Sequence, residues 1–352
     1  MKPLVLSPNS LSYLTCPRKF MNYRILGRRL AGARAGADAG NILHSAWAAW
    51  NRGDTTLRRT IGRVHVGSIG TTEQICDAII EAERASLPLE RADDHRTAAY
   101  LKDAFAALRA ELEPRRGTWR VLEVERRLTR RIGEVKAEVY DGTTITHMVH
   151  GNWLQRLEAK AGDCDMDGVA IVPIHLELVR DLVIEIIATG ERWVVDLKTS
   201  AWDDEAKPRA WAVGDQGKCY TWAWNDEFAN KPVAGAQFIR LVMRKPVQKP
   251  TAKTKPTFEP QVLPPFRYTP AILEEWRKSV LTRAADILRR DPENPDDWPM
   301  QACDSNCIQF NKPCDYLGAC EMDPDQRAYF LAQDFFEPSG AGKEPLTVEE
   351  AV

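Results

Sequence analysis

The stretch Trp193-Val194-Val195-Asp196-Leu197-Lys198-Thr199-Ser200 constrains this chain more than any other, because an apolar β-type run stops at a carboxylate, a lysine and two hydroxyls. Aromatic and β-branched residues favour a buried strand, and side chains two apart along a strand share a face. Asp196 and Lys198 therefore point the same way at the strand's end. A carboxylate suited to a divalent cation, beside an ammonium suited to a phosphate oxygen or an attacking water, makes the elementary parts of metal-assisted phosphodiester hydrolysis. The same residues also describe an ordinary strand end with a Thr/Ser helix cap, so the reading depends on what the rest of the chain brings to them.

A second carboxylate comes from the preceding strand. Leu182 to Ala188 and Arg192 to Asp196 flank Thr189-Gly190-Glu191, which suits a tight antiparallel hairpin. A turn centred on Gly190 brings Asp181 beside Asp196 and Lys198, since antiparallel neighbours lie about 5 Å apart. Asp163-x-Asp165-x-Asp167-Gly168 opens like a calcium loop, but the twelfth position, where such a loop needs a glutamate, is Ile174. Asp165 and Asp167 nevertheless compete with Asp181 for the second-carboxylate position. His44 lies on a nearly all-apolar helix, where a histidine is more often a core residue. If that helix packs on the open end of the sheet, the imidazole completes a set of carboxylate oxygens, and Mn²⁺ becomes at least as acceptable as Mg²⁺. Glu123 and Glu125 share a strand face, and pairing with nearby arginines is the expected use of both.

The 352 residues carry a formal net charge of −2, so nucleic-acid contact requires a local basic patch rather than a global field. Arg115 to Arg131 and Arg244 to Lys255 are the candidate patches. No apolar run is long enough to span a bilayer and Met1 to Leu6 makes no signal peptide, so the expected setting is cytosolic. Eight cysteines then argue for reduced thiols or metal ligands rather than a disulfide framework.

Along the chain, Ser7-Pro8 starts a short helix that Cys16-Pro17 interrupts, and Asn41 to Trp50 reads as a largely buried helix. Thr71-x-x-Gln74 is a capping box opening a helix to about Leu87, and Ala98, Leu101, Phe105, Leu108 and Leu112 mark another. Strands are expected at 120–128, 168–173, 182–188, 192–197 and 236–243, with helices at 210–228 and 270–290 and an extended loop at 244–265. The fold class is mixed α/β. The segmentation is an N-terminal helical region (1–118), a core (119–245), a loop, helix and cysteine-rich segment (246–336) and a disordered tail (337–352).

Cys303, Cys307, Cys314 and Cys320 fall within eighteen positions. Apart from Cys303-x3-Cys307 their spacing is looser than the Cys-x2-4-Cys pairs of zinc sites, whereas iron-sulfur clusters accept wider loops and four thiolates. Cys303 or the distant Cys16 supplies the fourth ligand. Cys76, Cys164 and Cys219 read as small buried apolar residues.

Together these residues resemble the RecB-like branch of the PD-(D/E)XK nuclease superfamily, specifically its iron-sulfur members, among them the AddB-type nuclease domain, the CRISPR-adaptation exonucleases and phage relatives. The resemblance rests on Leu6-Ser7-Pro8-Asn9-Ser10 leading to Cys16-Pro17-Arg18-Lys19-Phe20, on Gly40-x3-His44, on Val194 to Ser200, on Gln216-x3-Tyr220 and on Cys307-x6-Cys314-x5-Cys320. It implies a restriction-endonuclease-like central mixed sheet flanked by helices, and a Mg²⁺- or Mn²⁺-dependent DNA exonuclease acting on single-stranded ends. It further implies His44, Asp181, Asp196 and the Leu197 carbonyl as metal ligands, Lys198 as orienter of the attacking water, and Gln216 and Tyr220 as DNA contacts. Cys16, Cys307, Cys314 and Cys320 would hold a [4Fe-4S] cluster that staples the two ends of the chain. Zinc in place of iron-sulfur, and a catalytically silent DNA-binding or scaffold subunit of a recombination or repair complex, are the competing readings. Implied partners are DNA and the proteins of recombination, repair or CRISPR adaptation, in a bacterial or phage-infected cell. Two features depart from the family pattern: Asp181 lacks a Gly-x-x-Asp context, and the stretch Gly133 to Pro173 exceeds a compact core.

Overall fold

A computed structural model of the chain describes residues 3–22, 28–30, 35–61, 64–87, 95–138, 145–149, 153–157, 169–201, 206–247, 256–290, 298–299, 307–309, 312–314, 316–320, 322–323, 326, 330 and 336–338. Its helices are α1 (Pro8–Tyr13), α2 (Pro17–Phe20), α3 (Ala35–Arg52), α4 (Thr72–Ala85), α5 (Ala98–Arg116), α6 (Ala206–Val213), α7 (Asp215–Glu227), α8 (Pro270–Leu288) and α9 (Leu317–Cys320). The strands are β1 (Leu4–Leu6), β2 (Arg28–Leu30), β3 (Thr56–Ile61), β4 (Val64–Ile69), β5 (Trp119–Glu138), β6 (Ile145–Val149), β7 (Trp153–Leu157), β8 (Val169–Ile186), β9 (Arg192–Ser200), β10 (Gly235–Met243), β11 (Phe258–Val262), β12 (Phe266–Arg267), β13 (Ile308–Gln309), β14 (Lys312–Pro313) and β15 (Phe336–Pro338). The fold is a mixed α/β one, with a central mixed sheet flanked by helices. Two compact units divide it, one of Met1–Ala31, Leu128–Leu178 and Pro270–Val352, the other of Gly32–Arg127 and Val179–Thr269.

In the first unit, Leu4–Leu6 runs parallel to Ile174–Leu176. Ser7 caps α1 through a reciprocal box with Ser10, and Pro8 stands at its first turn, where a missing N–H removes no helical hydrogen bond. Cys16 is the N-cap residue of α2. The α2 side chain of Arg18 is buried and donates Nε–H to the Trp298 carbonyl at 2.5 Å, while Phe20 stacks on the Trp298 ring. Phe336–Pro338 pairs antiparallel with Arg28–Leu30, so order extends two residues into the stretch expected to be a disordered tail. The expected long insertion contains the β6–β7 hairpin, Val149 opposite Trp153.

The second unit is built on β9. It pairs antiparallel with β8 and parallel with β10, whose other edge takes β11 and β12 antiparallel. Leu182, Ile184, Trp193, Val195, Leu197, Ile239 and Leu241 pack on one face against Leu43, Trp47 and Trp50 of α3, Ile75 and Ile79 of α4, and Leu101, Phe105 and Leu108 of α5. The Thr71–Gln74 capping box and the i, i+3, i+4 rhythm of α5 form as expected. No helix among the described residues is long and apolar enough to cross a membrane.

The structure departs from the sequence expectation at three places, each for a local reason. β8 is continuous over residues that had read as a polar connection. Ile174, Leu176 and Leu178 are buried in it alternately, and Arg180, polar and fully buried, is neutralised by Glu123 and Glu227. The single helix expected at 210–228 is two, because Gly214 leaves the helical path and becomes the N-cap of α7. The expected loop 244–265 carries β11, whose Phe258 packs edge-on against Tyr100 at 4.8 Å between centroids.

Gly235 marks the tightest backbone approach: a Cβ there would stand 1.9 Å from the Phe266 carbonyl oxygen, across the β10–β12 pair. Gly235→Ala is expected to destabilise the chain by about 1–3 kcal/mol, as overpacking does. Gly117→Ala, which meets open space, should stay within about 0.5 kcal/mol of the parent. Urea denaturation followed by circular dichroism compares the two.

Candidate active site

The hairpin register decides which carboxylates meet. Leu182 lies opposite Val195 and Glu185 opposite Arg192, and one further step along the same register sets Asp181 opposite Asp196. Gly190 makes the turn, with φ +69, and its N–H donates to the Ile186 carbonyl at 2.7 Å. The Leu197 N–H donates to Asp181 Oδ2 at 3.2 Å, tying the carboxylate of β8 to the backbone of β9.

Asp196 is 1% exposed. Its Oδ1 accepts from Gln216 Nε2 at 3.0 Å, and the Lys198 ammonium pairs with Oδ2 at 2.5 Å, in a geometry that leaves this buried oxygen without a hydrogen bond. Burial pushes the Asp196 carboxyl up to about 6, with Lys198 opposing the shift and the Asp181 charge adding to it. Lys198 also donates to Gln216 Oε1 at 2.7 Å, and Gln216 Nε2 reaches the Tyr220 hydroxyl at 2.8 Å. Gln216 and Tyr220, one turn apart on α7, thus hold the Asp196–Lys198 pair from behind, and Tyr220 is itself buried. Burial raises its phenol well above the ordinary range.

His44 reaches the same place from α3, with Nδ1 3.1 Å from Asp181 Oδ2. The close approach of α3 to β9 needs Gly40 one turn earlier, since a Cβ there would lie 2.9 Å from Thr199 Oγ1. Burial draws the imidazole down, but the Asp181 and Asp196 carboxylates together outweigh it and leave His44 above its ordinary value.

Glu125 was missed as a site residue. Glu123 does take the arginines, accepting from Arg180 at 2.7 and 2.8 Å and from Arg126 at 3.1 Å. Glu125 departs from the shared face because its own backbone has φ +48, which breaks the period-two alternation of β5. Its carboxylate joins His44 and Asp181, with donor atoms of the three within 4.8 Å of one another. Burial pushes the Glu125 carboxyl up to about 7, reinforced by Asp181 and opposed by His44 and Arg52. The only sequence sign was a second acid in an arginine-rich strand.

One imidazole nitrogen with carboxylate oxygens from Asp181, Glu125 and Asp196 is a hard, oxygen-rich donor set that suits Mg²⁺ or Mn²⁺. The buried Asp196 oxygen without a hydrogen bond is a place for such an ion. Leu197 contributes a backbone flanked by both aspartates, its side chain fully buried in the core. Asp165 and Asp167 lie outside the described residues.

Cys16, Cys307, Cys314 and Cys320 all belong to the first unit and are free thiols. The β13–β14 hairpin joins Cys307 and Cys314 through an N–H to carbonyl bond of 2.6 Å, Cys320 ends α9, and the Cys16 side chain makes no capping hydrogen bond. Such thiols suit a thiolate-bound centre. Cys76 and Cys219 are fully buried; burial pushes the Cys76 thiol up to about 12 and Cys219 up likewise. Cys164 and Cys303 lie outside the described residues.

The family model described as the PD-(D/E)XK nuclease superfamily matches residues 5–321. Comparison with curated proteins gave no match.

The carboxyls generate a pH prediction. Asp196 and Glu125 bind protons more readily folded than at their ordinary values of 3.8 and 4.5. Their contribution to metal-free stability is therefore fully present below those values and is lost as pH rises through about 6 and about 7. His44, also raised, acts with the same sign. The metal-free melting temperature should fall across this window, and Mn²⁺ should raise it more at about pH 7.5 than at about pH 5.5, where protons compete for the same oxygens. Calorimetric scans with Mn²⁺ or chelator check both, and the double variant Asp196→Asn/Glu125→Gln should flatten the metal-free profile.

Proposed function

Because this chain belongs to the PD-(D/E)XK nuclease superfamily, we propose that it is a Mg²⁺- or Mn²⁺-dependent deoxyribonuclease that hydrolyses phosphodiester bonds from single-stranded DNA ends. The observation that carries this reading is the meeting of Asp181, Asp196, Lys198 and His44 from three elements of one unit, with contacts of 2.5 to 3.2 Å. His44, Asp181, Asp196 and the Leu197 carbonyl would hold the cation. Bound there, a divalent cation supplies Lewis-acid charge to the phosphate and a more acidic water. Asp181 and Asp196 fix where the scissile phosphate enters. Lys198, held by Gln216 and Asp196, faces the charge that develops on the phosphoryl oxygens and orients the attacking water. Gln216 and Tyr220 keep that ammonium and carboxylate in register as the strand passes, a stabilisation that is worth more in a water-poor site.

DNA is the proposed partner, with recombination, repair or CRISPR-adaptation proteins in a cytoplasmic setting. The proposed role of Cys16, Cys307, Cys314 and Cys320 is to hold a [4Fe-4S] cluster that closes a long loop and stabilises the fold without taking part in hydrolysis.

End-labelled single-stranded and duplex DNA incubated with Mg²⁺ or Mn²⁺ should yield products that shorten progressively from single-stranded ends. Lys198→Ala should slow this by about 10²–10³-fold, and Asp196→Ala should abolish it. Absence of metal-dependent products from the parent chain would overturn the nuclease reading in favour of a silent DNA-binding subunit. Anaerobically purified protein should contain iron and acid-labile sulfide in equal amounts, and each of the four Cys→Ser variants should lower both. Zinc without iron would replace the cluster by a zinc site and leave the nuclease reading standing.

A further inference from the structure

We infer that Glu125 is a ligand of the same divalent cation as His44 and Asp181, delivered by a turn of β5 into left-handed backbone; this rests on the nuclease reading of the site. The observations are independent of the motif residues. In a regular strand Glu123 and Glu125 would both face the arginines of Arg180 and Arg126, and Glu123 does so. Glu125 instead adopts φ +48, the one positive φ at a residue other than glycine among the described residues. Such a conformation persists only where its surroundings impose it, and it concentrates at functional sites. No lysine or arginine among the described residues forms an ion pair with the redirected carboxylate, which points to the acid and imidazole of the site instead.

The distances fit shared coordination. Ligands about 2.1 Å from an octahedral ion lie about 3.0 Å apart when adjacent and about 4.2 Å apart when opposite. His44 Nδ1 and Asp181 Oδ2 are 3.1 Å apart, and the three donor atoms fall within 4.8 Å of one another. Around this point Asp181, Glu125 and Asp196 face Lys198, so a bound dication offsets the surplus negative charge. Glu125 adds a third carboxylate to the set, reached from a strand that carries none of the recognisable motif residues.

The test uses the full chain and Mn²⁺ alone, with free Mn²⁺ read by electron paramagnetic resonance and folding by the metal-free melting temperature. Glu125→Gln keeps the side-chain shape, and Glu125→Gly removes the carboxylate while accommodating the backbone. Both variants should weaken Mn²⁺ binding by about 10–100-fold, the range for disturbing a metal site's partners, while melting at or above the parent temperature. Affinities within about twofold of the parent in both variants would overturn the inference alone. A parent chain that binds no Mn²⁺ would overturn it together with the nuclease reading.

Discussion

The antiparallel register between Val179–Ile186 and β9 is the constraint on which the rest of the second unit depends. With a period of two along each strand, a slip of one residue would turn Leu182, Ile184, Trp193 and Val195 out of the helix-covered core and send Asp181 and Asp196 into it. The apolar face therefore enforces the polar one. Two carboxylates set opposite each other repel, and burial adds to that repulsion, so the pair persists only because Lys198, Gln216, His44 and the Leu197 N–H each address one of its oxygens.

A second buried network holds the elements that carry the site. Arg180, next to Asp181 in β8, is fully buried, pairs with Glu123 of β5 and Glu227 of α7, and stacks its guanidinium over Trp224 at 5.1 Å. Desolvating such a charge is costly unless partners are fixed around it, and here the partners come from the strand that supplies Glu125 and the helix that supplies Gln216. Adjacent residues of one strand thus serve opposite faces: Arg180 binds the supporting elements, and Asp181 receives what they present.

The legible parts of the site were those set by short-range geometry. The Gly190 hairpin placed Asp181 against Asp196, and Asp-x-Lys spacing placed Lys198 beside Asp196, because a two-residue period and a tight turn are local properties. His44 on an apolar helix could be read either as core or as ligand; the packing of α3 against β9 across Gly40 and Thr199 brought it to Asp181. Glu125 was illegible for a specific reason. Sequence assigns it the ordinary alternation of β5, and only a single backbone dihedral, imposed by tertiary surroundings, turns it toward the site.

The sequence by itself determined a mixed α/β fold, a capped helical region, an Asp-x-Lys strand end and its hairpin partner, since each follows from periodicity, capping and turn chemistry within a few residues. Only the tertiary structure decided that Arg180 could be buried mid-strand, that Gln216 and Tyr220 brace the Asp196–Lys198 pair, and that Glu125 joins His44 and Asp181. Those outcomes depend on charges that meet from distant parts of the chain, where the worth of a polar side chain is set by the partners that desolvate with it rather than by its neighbours in sequence.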